Sequence, residues 1–294
     1  HIGNYFGMMR PAIELQEEGE AFLFIADYHA LTTVSDPDAL RAGVRDVALD
    51  FLACGLDPSR TAFYRQSDVP EVTELAWLLS VIAPMGLLER CHSYKDKLAR
   101  GLAASHGLFS YPVLMAADIL SVQSDVVRDL AIKFNHQYGE VFRLPEPRIR
   151  GEVAVVPGID GQKMSKSYGN TLDLFGDEKE LKKRVMRIVT DSTPLEEPKD
   201  PATCSVFALY KLFATPEEAD DLAARYRAGG FGYGTAKKEL LAKIRDTFAP
   251  LREKRTELER DPDAVEDVLR DGARRARDLV RDTLGRARRA VGLE

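Results

Sequence analysis

Cysteine is scarce in this sequence, and what there is lies scattered. Cys54, Cys91 and Cys204 are far apart and match no metal-ligand spacing. No cysteine-bound metal centre is therefore in play, and the three residues read as small buried thiols in a reducing compartment. Long apolar runs are missing too. The least polar stretch, residues 75–88, is broken by Ser80, Pro84 and Gly86 and is too short to span a bilayer. With no visible signal peptide, no membrane association and a cytoplasmic location are expected. Positive charge is not in excess either. The 41 Lys and Arg against 47 Asp and Glu leave a net charge of −6, which argues against indiscriminate nucleic-acid binding but not against a local basic face. Internal repeats and low-complexity tracts are absent. The remaining composition, 45% hydrophobic and 30% charged over 294 residues, is that of an ordinary globular protein with room for two domains.

What is present falls into two regimes. In the first 176 residues, apolar runs alternate with helical patterns. Phe22-Leu23-Phe24-Ile25-Ala26 is a continuous apolar run that reads as a buried parallel strand, with His29 just past its carboxyl end, where open α/β sheets place ligands. Asp36-Pro37 opens a helix whose Leu40, Val44, Val47, Ala48 and Phe51 recur at helical spacing. Residues 61–65 read as a second strand, and residues 71–88 as one or two helices kinked near Pro84. Residues 107–120 form the next helix. Residues 121–127 then read as a strand and residues 128–138 as a helix, with no Gly, Pro or cap between them. Strand-to-helix connections usually take about 2–6 residues, so the molecule is expected to carry a loop at that junction. From residue 177 on, strand-like runs stop. Helices are predicted over 178–190, 205–213, 216–228, 235–259 and 262–291. The last has an apolar stripe of Val265, Val268, Leu269, Ala276, Leu279, Val280 and Leu284. Two basic segments, Lys182-Lys183-Arg184 with Arg187 and the arginine-rich residues 270–289, read equally as solvated helix surface or as nucleic-acid contacts.

Two short motifs carry chemistry. Lys163-Met164-Ser165-Lys166-Ser167 follows the apolar run Val153-Ala154-Val155-Val156, read as a strand, and the turn Pro157-Gly158-Ile159-Asp160-Gly161. Two lysines and two hydroxyls on such a loop suit a polyphosphate that must be gripped and then released. His1-Ile2-Gly3-Asn4 precedes a predicted helix over residues 5–18, whose start can offer backbone N–H groups, an imidazole and an amide to phosphates. A phosphate-binding helix start in an α/β fold follows a strand, so a strand ahead of His1 is also expected. On the helix 107–120, Tyr111, Met115 and Asp118 stand at i, i+4 and i+7 and share a face. An aromatic ring, a thioether and a carboxylate there would suit an indole, which needs flat apolar contacts and one acceptor for its N–H.

Taken together and in this order, the two motifs resemble the signatures of class I aminoacyl-tRNA synthetases. The resemblance to the tryptophanyl-tRNA synthetases runs over nearly the whole chain. It includes Asp27-Tyr28-His29-Ala30-Leu31-Thr32, Gln66-Ser67-Asp68-Val69-Pro70, Tyr94-Lys95-Asp96-Lys97 and, most specifically, the segment from Gly107 to Leu120. The tyrosyl relatives usually carry Gln where Met115 stands, which favours tryptophan.

The resemblance implies an α/β catalytic domain over residues 1–176, a Rossmann-like doubly wound parallel sheet. It further implies an all-α domain over residues 177–294 that binds tRNA at its anticodon. Tryptophan would be activated with ATP, accompanied by Mg²⁺, and passed to tRNA(Trp) by a homodimer without a prosthetic group. Residue by residue, Gly3 would allow close approach of the adenosine while His1 and Asn4 meet phosphates. Lys163 and Lys166 would hold the pyrophosphate, Ser165 and Ser167 would add hydrogen bonds, and Met164 and Ala154 would border adenine. Asp118 would accept the indole N–H, with Tyr111, Met115 and His29 shaping the pocket.

The sequence departs from the family in two places. A Gly-x-Asp-Gln segment with a nearby His is missing between Val127 and Arg128, and a Pro-Ser/Thr-Gly turn is missing ahead of His1. Their true deletion would cripple catalysis, and both are expected in the molecule. Three other readings stay open: tyrosine as the amino acid, a nucleotidyltransferase acting on a small substrate, and a non-catalytic RNA-binding relative.

Overall fold

Two five-residue strands hold the sheet. β1 is Ala21–Ile25 and β2 is Thr61–Arg65, both dominated by apolar and aromatic side chains. They pair in parallel with Ala21 opposite Thr61 and Ile25 opposite Arg65. Parallel neighbours need a crossover, and the helix Pro37–Ala53 supplies it. The computed structural model describes residues 1–91, 94–95, 99, 105–121, 126–144 and 155–294, apart from the side chains of Val126 and Val127. Among the described residues the sheet has these two strands.

The chain divides into two compact units, and both are discontinuous. One comprises residues 1–18, 50–56 and 151–260, the other residues 19–49, 57–150 and 261–294. This division does not follow the sequential split at residue 176 expected from the sequence. Residues 1–18, 50–56 and 151–176 group with the helices that follow them, and the last helix, Pro262–Val291, belongs to the unit containing the sheet. The face of that helix holding Val265, Leu269, Gly272, Ala273, Ala276 and Val280 is buried. A Cβ on Gly272 would lie 2.0 Å from the Phe63 carbonyl oxygen of β2. The helix thus seats its backbone on the strand, and the buried face includes Gly272 and Ala273, small residues outside the expected stripe. Leu279, assigned to that stripe, is exposed. Ion pairs flank the seat: Arg65 with Asp68 and Glu266, Arg277 and Arg281 with Glu71, and Arg288 with Glu74. In the same unit the helices Glu71–Ile82, His106–Leu120 and Val126–Tyr138 share a core through Leu75, Leu79, Val113, Ala117, Leu130 and Phe134.

The other unit is helical: Glu178–Met186, Ser205–Tyr210, Pro216–Ala228 and Tyr233–Arg260. Sequence capping rules account for its boundaries. Asp177 accepts from the N–H groups of Lys179 and Glu180. Thr215 and Glu218 form a capping box ahead of Pro216, and Gly229 ends that helix at φ 74°. Its core includes Leu181, Val185, Leu209, Leu222, Tyr226, Leu240, Ile244 and Phe248.

Several sequence expectations need correcting. Val126 and Val127 are helical and Ser121 is a turn, so the strand expected over 121–127 is not found there; residues 122–125 lie outside the described set. Val155 and Val156 are in no strand, although Pro157 and Lys163 form an isolated antiparallel bridge; residues 153 and 154 lie outside the described set. Helical structure begins earlier than residue 5, at Ile2–Asn4, and widens to a π turn over Tyr5–Met9 before Arg10–Glu14. Pro11 explains the wide turn, since it has no N–H and its ring crowds the carbonyl four residues back. Of the cysteines, only Cys204 is buried; Cys54 and Cys91 are half-buried, and all three are free.

Candidate active site

The two sequence motifs meet in the first unit. Ile2 is fully buried and its N–H donates to the Leu172 carbonyl at 2.8 Å. Gly3 faces the lysine loop: its N–H donates to the Met164 sulfur at 3.2 Å, and a Cβ on it would stand 3.1 Å from both Met164 Cβ and His1 Nδ1. The packing of one motif on the other thus leaves little room for a side chain at Gly3. Met164 is buried, which makes it the anchor of its loop. His1 caps the helix, its Nδ1 accepting from the Asn4 N–H at 3.1 Å. With Nδ1 an acceptor, the neutral ring carries its proton on Nε2, a donor suited to a phosphate oxygen. The Asn4 side chain is exposed.

The lysine loop is shaped by Asn170, a residue that no motif singles out. Its buried amide accepts from the Ser165 N–H at 2.7 Å and donates to Asp160 Oδ1 at 2.8 Å and to the Lys163 carbonyl at 3.1 Å. The Met164 N–H donates to the Val156 carbonyl at 2.9 Å, and the Ser165 and Ser167 hydroxyls are 2.9 Å apart. The backbone of the loop is thus held, whereas Lys163, Lys166 and Ser167 are exposed. Among the described residues neither lysine is ion-paired. Two free ammonium groups on a fixed backbone can neutralise an oligophosphate. Ala154 lies outside the described residues.

The second unit gathers the expected indole acceptor. Asp118, on the helix His106–Leu120, is buried (3% exposed). One of its oxygens, Oδ2, meets His29 Nε2 at 3.0 Å and accepts from Gln66 Nε2 at 2.6 Å. Burial pushes the Asp118 carboxyl above the usual carboxylate range, while the hydrogen bonds from His29 and Gln66 pull the other way. The Tyr64 phenol is raised by burial, with the Asp118 charge adding to the shift. The ring of Tyr111 stands edge-on to His29 at 5.9 Å. The structure thus brings His29, Tyr111 and Asp118 together, and Met115 is half-buried on the same helix. A cavity of about 220 Å³ opens against His29 and Tyr111, with Tyr28, Thr32, Ser110 and Leu114 in its wall; Asp118 and Met115 do not line it.

Below this cluster Asp27, at the carboxyl end of β1, accepts from the N–H groups of Tyr28 and Ser67 at 3.0 Å each and from the Ser67 hydroxyl. That clamp joins the ends of β1 and β2 and sets Gln66 beside Asp118. The position of Gln66, one residue past β2, was the available signal, since ligands gather beyond the carboxyl ends of parallel strands.

Known proteins resemble this chain over its whole length. The family described as tRNA synthetases class I (W and Y) matches residues 1–249. A tryptophan–tRNA ligase of Rhodopirellula baltica is 56% identical over 306 aligned positions, which take in 100% of this chain and 96% of the relative. One from Fusobacterium nucleatum is 52% identical over 307 positions, covering 100% and 94%. The alignments are longer than the 294 residues of this chain. Both relatives therefore hold internal positions with no counterpart here. Among solved structures, the tryptophanyl-tRNA synthetase from Campylobacter jejuni complexed with ADP and tryptophan superposes with a TM-score of 0.92 at 47% identity, over 99% of this chain and 96% of its own.

Proposed function

The chain belongs to the class I tRNA synthetases for tryptophan and tyrosine, and from that membership we infer that it is a tryptophan–tRNA ligase built on the Rossmann-like class I fold. The observation that carries the choice of amino acid is the buried carboxylate of Asp118, presented next to the rings of His29 and Tyr111. It agrees with the name of the 56% identical relative and with the tryptophan bound to the Campylobacter jejuni enzyme.

In the first step a carboxylate oxygen of tryptophan attacks the α-phosphorus of ATP. The bond to the β-phosphate oxygen breaks, giving tryptophanyl-adenylate and pyrophosphate. In the second, a hydroxyl of the terminal ribose of tRNA(Trp) attacks the activated carbonyl, AMP leaves, and the hydroxyl proton is released. Neither step needs a covalent enzyme intermediate, so the protein contributes positioning and charge stabilisation. ATP enters as its magnesium complex, the metal travelling on the phosphates. His1 Nε2–H and the Asn4 amide serve the phosphates at the helix start. Lys163 and Lys166 neutralise charge that develops on the departing pyrophosphate, with the hydroxyls of Ser165 and Ser167 adding donors. Asp118 accepts the indole N–H, and Tyr111, Met115 and His29 shape the space around the ring. A phenylalanine would leave the buried acceptor unpaired, which such a site rejects strongly.

We assign adenosine and phosphate binding, with adenine bordered by Met164 and Ala154, to residues 1–176. Anticodon binding falls to the helices after residue 177. The exposed Arg270, Arg274 and Arg281 suit tRNA phosphates, although each already has an acidic neighbour. A homodimer fits the exposed Trp77, Val81 and Met85, large apolar side chains close together in sequence. No described helix is long and apolar enough to cross a membrane, and a cytoplasmic site of action suits an enzyme that serves translation.

The deciding experiment is amino-acid-dependent ATP–pyrophosphate exchange with Trp, Tyr and Phe. Exchange with Trp alone is expected. Exchange with Tyr would move the assignment to the sister enzyme. Tight tRNA binding without any exchange would make this chain a non-catalytic relative.

A further inference from the structure

Gln66 is the most buried polar side chain near the proposed indole acceptor, at 1% exposure. Its Nε2 donates to Asp118 Oδ2 at 2.6 Å, the shorter of the two contacts to that oxygen. Its other amide atom, Oε1, is buried with no hydrogen-bond partner. A buried acceptor without a partner costs free energy, so something must enforce this amide orientation. The enforcing group is the carboxylate. An ionised carboxylate only accepts, and a flipped amide would set Oε1 against Oδ2. Among the described residues Asp118 Oδ1 has no partner, while Oδ2 has two.

We propose that Gln66 is a positioning residue for tryptophan selection: together with His29 it saturates Oδ2 of Asp118, fixes the rotamer, and leaves Oδ1 as the one acceptor for the indole N–H. This rests on the reading of Asp118 as the indole acceptor. A singly available oxygen on an immobilised carboxylate reads one donor at one place, which suits the indole nitrogen better than a phenol further along the pocket. The unpartnered Oε1 is the cost of holding that orientation.

The test is tryptophan binding by titration calorimetry across pH 5.5–9 for the wild type, Gln66→Met and Gln66→Glu, alongside the KM for tryptophan and for ATP in exchange. The groups that bear on Asp118 are His29, Gln66, Asp27 and Tyr64. Met fills the volume of Gln but donates nothing. A hydrogen bond to a charged group is worth enough that its loss raises the tryptophan Kd and KM roughly 10- to 100-fold, with the ATP KM unchanged. Because the Gln66 hydrogen bond favours the ionised form of Asp118, its loss also moves the acid limb of binding toward neutral pH. In Gln66→Glu the trend reverses. The introduced carboxyl, when protonated, donates to Asp118 at low pH, so affinity is kept in acid and falls as pH rises and the pair loses its shared proton. A purely structural role would produce neither opposed trend. An unchanged Kd and acid limb in a folded Gln66→Met overturns the inference alone. Should Gln66→Met not fold, the Gln66→Glu profile decides, and affinity that fails to fall with rising pH overturns it. A wild type that binds no tryptophan removes the Asp118 reading itself, and this inference with it.

Discussion

On the proposed function, Lys163 and Asp118 divide the labour of the first reaction, and their environments say how. Lys163 is exposed, with its backbone held by Asn170. In the proposed role its charge would act on a leaving group rather than on a resting one, and interactions that strengthen in the transition state show up in kcat. Lys163→Ala should therefore lower the exchange kcat about 100-fold, and leave the tryptophan KM within about threefold. Equal losses in the two, measured by steady-state exchange kinetics, would remove it from that role. Asp118 is buried and accepts, so its effect belongs to binding. Asp118→Ala should raise the tryptophan KM roughly 10- to 100-fold with ATP binding near normal. Its carboxyl lies above the usual range because burial disfavours the charge. The ionised form binds, so kcat/KM for tryptophan should fall as pH drops through that raised value, while an ordinary aspartate would hold activity to lower pH. A flat profile down to the usual carboxylate range would show that Asp118 does not control binding. Cys54 titrates the other way from usefulness. Burial pushes its thiol up to about 12, so alkylation by iodoacetamide near pH 8 should be slow until the protein unfolds.

At the scale of elements the decisive contact is the last helix on β2. With the Phe63 carbonyl oxygen 2.0 Å from where a Cβ would sit, Gly272→Ala forces the helix off the strand or bends the strand. Overpacking of that kind should cost about 3 kcal/mol or more, read as a lower urea midpoint with the slope unchanged. A variant as stable as the wild type would mean the helix is seated less closely. Periodicity made the helix Pro262–Val291 legible over its full length, and the structure caps it with Asp261 and ends it at Gly292. It did not reveal the tightest inward contact, because an apolar stripe marks side chains and the closest approach is at Gly272, which has none. The strand β1 was legible, to within one residue, as a continuous apolar run, and β2 was legible over its own bounds. Val126 and Val127 were misread because β-branched residues in a short run carry a strand preference that a helix of thirteen residues overrides. Lys199 was not legible at all. It is buried, and its ammonium donates to the carbonyls of Pro194, Leu195 and Glu197, a role that depends on where a loop folds back. The same holds for Asn170, whereas Gln66 had one signal, its place just past the end of β2. Lysines and carboxylates announce their chemistry by type, whereas amides that orient them are identified only by their partners.

For the whole molecule, the question is what covers the exposed apolar side chains of the second unit. Trp77 is 69% exposed, Val81 64% and Met85 63%. Trp77 and Val81 stand one turn apart on Glu71–Ile82, and Met85 opens the next helix, Met85–Glu89. A cavity of about 460 Å³ beside Leu87 and Ile132 also exposes mostly apolar surface, although Arg90, Asp129 and Lys133 line it too. Single exposed hydrophobics are ordinary, but three large ones within nine residues next to an apolar recess mark an interaction surface. Aromatic and methionine side chains are the types enriched in such interfaces. An isologous dimer uses the same patch on both subunits, so a charge placed there is repelled by its own copy. Trp77→Lys should therefore turn a dimer into a monomer in sedimentation equilibrium at micromolar concentration, with the circular dichroism spectrum unchanged. Because Trp77 is the one tryptophan of the chain, its fluorescence gives an independent reading. Emission should shift to the blue with rising protein concentration as the indole leaves water. A wild type that sediments as a monomer, with emission independent of concentration, would show that this patch meets something other than a second copy.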